Sequence, residues 1–107
     1  THDFAAFAAS GSVVKSTVRT IYRAKVERSG DYVTLTVLGN GFLYNMVRII
    51  AGTLMEVGTG KRETGAIARA IETGDRLALG QTAPAQGLTL RRVLYLGEEE
   101  KALAYFR

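Results

Sequence analysis

The 107-residue chain contains no cysteine and no tryptophan, and it has one proline and one histidine. The absence of cysteine excludes a disulfide framework, a thiolate nucleophile and zinc or iron–sulfur sites with cysteine ligands. The single histidine, His2, excludes a multi-histidine metal centre and leaves a Ser-His-Asp triad only if this near-terminal residue supplies the base. Because no apolar run reaches about 18 residues, we expect no membrane partner, and we see no secretory leader.

The composition that remains is that of an ordinary globular domain, with 47% hydrophobic and 22% charged residues. A chain of this length predicts one domain with a single modest core. We place that domain at residues 1–97 and a polar C-terminal tail, which opens with three glutamates, at residues 98–107. The first residue is Thr1 rather than Met, so we expect the chain to be processed or cut from a longer protein.

The net charge of +4 is concentrated near the N-terminal end. Between residues 15 and 28, five basic residues face one acid, Glu27, so this window carries the whole excess; the five are Lys15, Arg19, Arg23, Lys25 and Arg28. A basic stripe of this kind is typical of a surface that binds a polyanion such as nucleic acid. It is also compatible with a solvated strand face that protects a sheet edge.

Alternating apolar and polar residues predict strands over residues 18–27, 32–38 and 88–96. The turn residues Ser29-Gly30-Asp31 join the first two strands into an antiparallel hairpin. Three strands leave open edges, which we expect another domain or subunit to cover.

The apolar spacing becomes helical at Phe42. A stripe at alternating spacings of four and three residues predicts a helix that ends near Gly58, with Asn40 as its N-cap; the stripe consists of Leu43, Val47, Ile50, Leu54 and Val57. We predict a second helix over residues 64–73 that ends at Gly74, with three residues facing inward: Ile67, Ala70 and Ile71. We also predict a short helix or turn over residues 2–9, in which Phe4 and Phe7 share one face. The element order predicts an α+β fold, with helices packed on one face of a mostly antiparallel sheet.

Arg48 is the one charged residue between Phe42 and Met55. An arginine in so apolar a stretch needs a partner or a route to water. Its neighbours on the same helical face, Asn45 and Gly52, are not acids, and Gly52 leaves room for another group to approach. Either Arg48 reaches solvent or an acid elsewhere in this fold, or it meets a carboxylate or phosphate from outside the chain.

The only proline lies in the loop from Gln81 to Gly87, and Leu88 follows at the start of the predicted third strand. Taken alone, this pattern favours plain packing of Leu88 over a functional role.

Four segments together resemble the tRNA pseudouridine synthase A family of bacteria. They are HDFAAF at 2–7, TVRTIY at 17–22, GNGFLYNMVRIIAGTLMEVGTGK at 39–61 and DRLALGQTAPAQGLTLRRVLY at 75–95, in the order and spacing of that family. The resemblance covers residues 2–96, and the segment around Arg48 is its most specific part.

The resemblance implies half of a two-domain pseudouridine synthase fold, namely the C-terminal half. The implied enzyme is a cytoplasmic homodimer that isomerises uridine to pseudouridine in the anticodon arm of tRNA, at positions 38–40, without metal or organic cofactor. The nucleophilic aspartate of the family lies in the N-terminal half, so the implied partners are tRNA and the chain's own N-terminal domain. We therefore expect this chain alone to be inactive.

Two residues of the chain match functional positions of the family. Arg48 matches the arginine that forms an ion pair with the nucleophilic aspartate, and Leu88 matches a leucine of the active-site pocket. The resemblance also favours tRNA contacts by the basic stripe, for which we single out Lys15, Arg19, Arg23 and Lys25.

Two other functions remain open at the level of sequence. One is a non-catalytic RNA-binding module, whose affinity for tRNA would depend steeply on salt. The other is a structural or dimerisation domain in which Arg48 pairs with an acid of this chain.

Overall fold

The computed structural model describes residues 1–8, 14–91 and 93. In chain order the elements are strands β1 (His2–Asp3), β2 (Val18–Arg19), β3 (Ile21–Ser29) and β4 (Tyr32–Gly39), then helices α1 (Met46–Gly58) and α2 (Ala66–Thr73). Short 3-10 turns lie at Ala5–Phe7, Arg76–Ala78 and Ala85–Gly87. This combination of antiparallel strands and helices confirms the predicted α+β fold class.

The predicted hairpin is confirmed by strands β3 and β4. They pair antiparallel from Ile21 opposite Gly39 to Ser29 opposite Tyr32. The intervening turn uses Gly30 at a φ of +60°, a conformation that glycine adopts without steric cost. All residues from 22 to 34 are exposed, so the distal part of the hairpin projects away from the core.

The strand predicted over residues 18–27 is confirmed from Ile21 onward, but it is not one continuous strand, because the chain divides that segment between two sheets. β2 pairs antiparallel with β1, whereas β3 pairs with β4. Thr20 separates them: its backbone N–H donates to Oδ1 of Asn40 at 2.9 Å, and its carbonyl accepts from the backbone N–H of Asn40 at 3.0 Å. Asn40 is thus bonded to a strand connection and does not cap α1.

The predicted third strand is not formed in the part of it that the structure describes. Residues 88–91 and 93 lie outside regular strands. Residues 92 and 94–96 lie outside the described residues, as does the tail predicted at 98–107. The described strands therefore form two separate antiparallel pairs.

The core lies where α1 meets α2 and the N-terminal 3-10 turn. Its fully buried apolar residues are Phe4, Ala6, Phe7, Leu43, Met46, Ile49, Ile50, Ala70 and Leu79. Phe4 and Phe7 meet edge to face with ring centroids 5.3 Å apart, which confirms that this aromatic pair shares one face. In α2, Ala70 is buried as predicted, and Gly74 ends the helix at a φ of +71°.

Leu43 and Ile50 of the predicted stripe are buried as expected, but the centre of the buried face of α1 lies one residue before Val47 and Leu54. Met46, Ile49 and Thr53 are at most 1% exposed, whereas Val47 and Leu54 are only half-buried. Nearly every side of α1 is apolar, so periodicity could not locate the centre of the buried face. The predicted end of the helix, Gly58, is confirmed.

α1 has 13 residues, and none of the helices in residues 1–8, 14–91 and 93 is both long and apolar enough to cross a bilayer.

Candidate functional site

A short segment of the loop after α2, residues 80–83, lies along one side of α1; we call it the docked segment. Three of its backbone N–H groups donate to α1: Gly80 to the Thr53 hydroxyl at 2.8 Å, Gln81 to Oε2 of Glu56 at 2.7 Å, and Ala83 to the carbonyl of Arg48 at 3.0 Å. Because these acceptors span more than two turns of the helix, the docked segment is fixed along the helix at three points.

Two glycines allow this close approach. A Cβ added at Gly52 would overlap the backbone carbonyl of Gln81, and one added at Gly80 would overlap the carboxylate of Glu56. The space that Gly52 leaves beside Arg48 is therefore filled by the chain's own backbone.

Arg48 is held by two acceptors. Its Nε donates to the backbone carbonyl of Ala83 at 2.7 Å, and its Nη1 donates to Oδ1 of Asn45 at 2.9 Å. A guanidinium carries five N–H donors, so three remain for another ligand. No acidic oxygen of the described residues lies within ion-pairing distance of Arg48. The side chain is thus partly buried and oriented, but no residue that the structure describes neutralises its charge.

Asn45 begins the helix from an unusual conformation. It has a φ of +64°, in the left-handed region where asparagine is one of the few tolerated residues other than glycine. Its backbone carbonyl accepts from the N–H of Ile49 at 2.9 Å, while its side chain caps no helical N–H and accepts from Arg48 instead. Helical spacing had placed Asn45 beside Arg48, but gave no sign of its conformation.

Glu56 contacts both the docked segment and Arg62. Its Oε2 accepts from Gln81, and its Oε1 lies 3.3 Å from Nε of Arg62. The backbone hydrogen bond from Gln81 and, after it, the charge of Arg62 lower the pKa of Glu56 below its ordinary value of 4.5, against an opposing contribution from burial.

Sequence reasoning missed the docking roles of Thr53 and Glu56. The available signal was a polar side chain, Thr53, within an apolar helix. In the structure, Thr53 is completely buried and also donates to the carbonyl of Ile49 at 2.8 Å. Its partner, Gly80, is distant in sequence and carries no side chain that could mark it.

Leu88 lies beyond the docked segment, directly after the 3-10 turn Ala85–Gly87. Its backbone N–H donates to the carbonyl of Ala85 at 3.0 Å, and the residue is 51% exposed. Leu88 is therefore not core packing within the described residues, and one connection carries both Leu88 and the Ala83 carbonyl that holds Arg48.

The four predicted RNA-contacting residues are not brought together as one stripe. Lys15, Arg23 and Lys25 are exposed. Lys25 shares one face of β3 with Arg23, and its Nζ lies 3.5 Å from Glu27. Arg19 belongs to β2 in the other sheet, and its Nη1 donates to the carbonyls of Ser16 at 2.8 Å and Val18 at 2.7 Å.

The chemistry that this arrangement offers is that of a fixed cation. An arginine with free N–H donors binds a carboxylate or a phosphate bidentately. Within the described part of the chain, no three aspartate, glutamate or histidine side chains come close enough together to hold a metal ion.

The sequence is similar to those of several known proteins. A sequence model of the family described as tRNA pseudouridine synthase matches residues 1–96. The chain is 52% identical over 103 residues to tRNA pseudouridine synthase A of Ligilactobacillus salivarius, covering 94% of this chain and 40% of that protein. It is 54% identical over 95 residues to the protein of the same name from Acetivibrio thermocellus, covering 89% and 39%. The corresponding protein of Geotalea uraniireducens is 53% identical over 94 residues, covering 88% and 38%.

The chain thus spans about two fifths of the length of these relatives.

Proposed function

This chain belongs to the tRNA pseudouridine synthase family, and from that membership we propose that it is the C-terminal, supporting part of an enzyme that converts uridine to pseudouridine in the anticodon arm of tRNA. The chain supplies an arginine and a pocket wall, and the nucleophilic aspartate comes from an N-terminal domain that precedes it. The proposal includes a cytoplasmic homodimer that modifies positions 38–40 without a cofactor.

The observation that carries this proposal is the state of Arg48. Its guanidinium is oriented by two neutral acceptors, Ala83 and Asn45, and three of its donors and its charge have no partner among residues 1–8, 14–91 and 93. A carboxylate that arrives from another domain finds a fork of matching geometry, and the ion pair favours its ionised form. An ionised, positioned aspartate is what nucleophilic attack requires.

Leu88 extends the site beyond Arg48. At 51% exposure it offers an apolar surface that the described residues leave uncovered. A target nucleotide that packs against Leu88 would exclude water, and a drier site strengthens the electrostatic pairing between Arg48 and the carboxylate.

The basic residues Lys15, Arg19, Arg23 and Lys25 are proposed contacts to the tRNA backbone. Arg23 and Lys25 support this best, since both project from an exposed strand face. Replacing either by Ala is expected to weaken tRNA binding. The slope of log affinity against log salt concentration should fall in magnitude by about 1, because one phosphate contact is lost.

Arg48→Ala in the full-length protein tests the proposal directly. We expect kcat for pseudouridine formation in tRNA to fall by roughly 10²–10³-fold, the usual cost of removing one preorganised electrostatic group, while circular dichroism shows a folded protein. The matched control is Arg69→Ala, which removes an exposed helical arginine paired with Glu63 and should leave turnover unchanged.

Near-normal turnover by the Arg48→Ala variant would refute the proposed function of the site. The separate prediction that residues 1–107 are inactive alone is checked by incubating the purified chain with tRNA; detectable pseudouridine would contradict it.

A further inference from the structure

We infer that Asn45 is the positioning residue of Arg48: its amide oxygen fixes the guanidinium without neutralising it, and so keeps Arg48 open to an oxyanion from outside the chain. This inference rests on the proposed function, because it concerns the orientation of the arginine that the proposal makes the partner of the nucleophile.

The geometry gives Arg48 two fixed points. A guanidinium is planar and rigid, so acceptors at Nε and Nη1 together set both its position and the direction of its remaining donors. One acceptor, the carbonyl of Ala83, is anchored through the docked segment. The other, Oδ1 of Asn45, is anchored by the start of α1, three residues before the arginine.

The chemistry of residue 45 is informative because aspartate would suit the fold at least as well. Aspartate also tolerates a positive φ, has the same shape, and would place a negative charge at the favourable N-terminal end of α1. However, an aspartate would form a charge-assisted hydrogen bond with Arg48 and neutralise the charge of its guanidinium. The amide accepts the hydrogen bond and leaves the charge available.

Glycine is the other residue that suits this backbone. At a φ of +64° it is the least strained choice, but it carries no acceptor. Asparagine at this left-handed position is therefore explained better by the neutral acceptor that it offers to Arg48 than by the backbone conformation, for which glycine would be less strained. The side chain caps no helical N–H, in agreement with this role.

The test is steady-state kinetics of the full-length enzyme with tRNA, together with thermal unfolding, for Asn45→Asp and Asn45→Gly. We expect Asn45→Asp to keep or raise the melting temperature, because the new carboxylate pairs with Arg48. The same carboxylate competes with the nucleophile for the guanidinium, so kcat should fall by roughly 10–100-fold, the amount expected when one hydrogen bond between the nucleophile and a charged group is weakened. Asn45→Gly should stay folded and lose roughly tenfold in kcat with little change in KM, since the tRNA contacts are intact.

Asn40→Asp is the matched control. Oδ1 of Asn40 accepts from the N–H of Thr20, so the same chemical change introduces no new partner for Arg48. Its kcat should equal that of the wild type.

Wild-type kcat in a folded Asn45→Asp variant would overturn the inference. If Asn45→Asp fails to fold, Asn45→Gly decides: wild-type kcat would overturn the inference, and a tenfold loss in a folded protein would support it. Arg48→Ala separates the two levels. If Arg48→Ala is inactive and Asn45→Asp is fully active, the inference about Asn45 is rejected and the proposed function stands. If Arg48→Ala is active, the proposed function itself is rejected.

Discussion

Two regions of the molecule are built in opposite ways. One is α1 with the docked segment, and the other is the distal part of the β3–β4 hairpin, residues 22–34. In the first, three backbone N–H groups, two glycines and a buried threonine fix a loop against a helix. In the second, antiparallel pairing runs from Arg23 opposite Leu38 to Ser29 opposite Tyr32, yet every residue from 22 to 34 is exposed. Val26 and Val33, which share one face, are 59% and 68% exposed.

This difference separates a region whose side chains are positioned by contacts within the described residues from one whose side chains are mostly exposed. Arg48 is oriented by two acceptors within the described residues, the Ala83 carbonyl and Oδ1 of Asn45.

In the distal part of the hairpin, the described contacts are the backbone pairing, an exposed ion pair between Lys25 and Glu27 and a hydrogen bond from Arg28 to the carbonyl of Gly30. Among the described residues, its exposed apolar side chains do not pack against the core. Changes in the first region should therefore affect stability strongly, and equivalent changes in the second should not.

The largest expected effect on stability comes from Gly52→Ala. The added methyl group would overlap the carbonyl of Gln81, so the docked segment must move, at a cost typical of overpacking, about 1–3 kcal/mol. The same change at Gly58, in the same helix, meets no atom within 4 Å and should be neutral or stabilising by about 0.4–1 kcal/mol. Urea unfolding of the full-length protein measures both, and equal effects would show that the segment is not tightly docked.

A smaller, pH-dependent effect is expected for Glu56→Gln. Because folding lowers the pKa of Glu56 below 4.5, its stabilising contribution is present above that pH and disappears as the pH falls through the depressed value. Wild type should therefore be the more stable protein at neutral pH, and the difference in free energy of unfolding should shrink on acidification. Urea titrations from neutral to acidic pH check this, and a constant difference would contradict it.

The smallest effect is expected for Val33→Thr in the hairpin. The side chain is 68% exposed, and threonine retains β-branching, so the free energy of unfolding should change by less than about 0.5 kcal/mol. A loss above about 1 kcal/mol in the full-length protein would show that residues outside the described part cover this face, and would weaken the contrast between the two regions.

Local sequence predicted the elements whose signals are themselves local. The β3–β4 hairpin followed from alternation and from the turn at Gly30. The ends of the helices at Gly58 and Gly74 followed from glycine placement. Arg48 stood out because one charge in an apolar helix demands an explanation, and the family resemblance supplied a role for it that remains a proposal.

The errors arose where distant residues compete for the same groups. The hydrogen bonds between Thr20 and Asn40 interrupt the predicted first strand at Thr20 and hold Asn40 against a strand connection, whereas the helix begins at Met46. The buried face of α1 shifted by one residue because the docked segment and α2 cover a side that an apolar sequence does not distinguish.

By itself, the sequence determined the α+β class, the hairpin, the two helices and the isolation of Arg48 in an apolar segment, since each depends on residues close together in the chain. Only the tertiary structure decided what Arg48 bonds to, why Gly52 and Gly80 must be small, and that Thr53 and Glu56 hold the docked segment. Those contacts join residues about 25 to 35 positions apart, and a backbone carbonyl or N–H leaves no mark on the sequence that would reveal its partner.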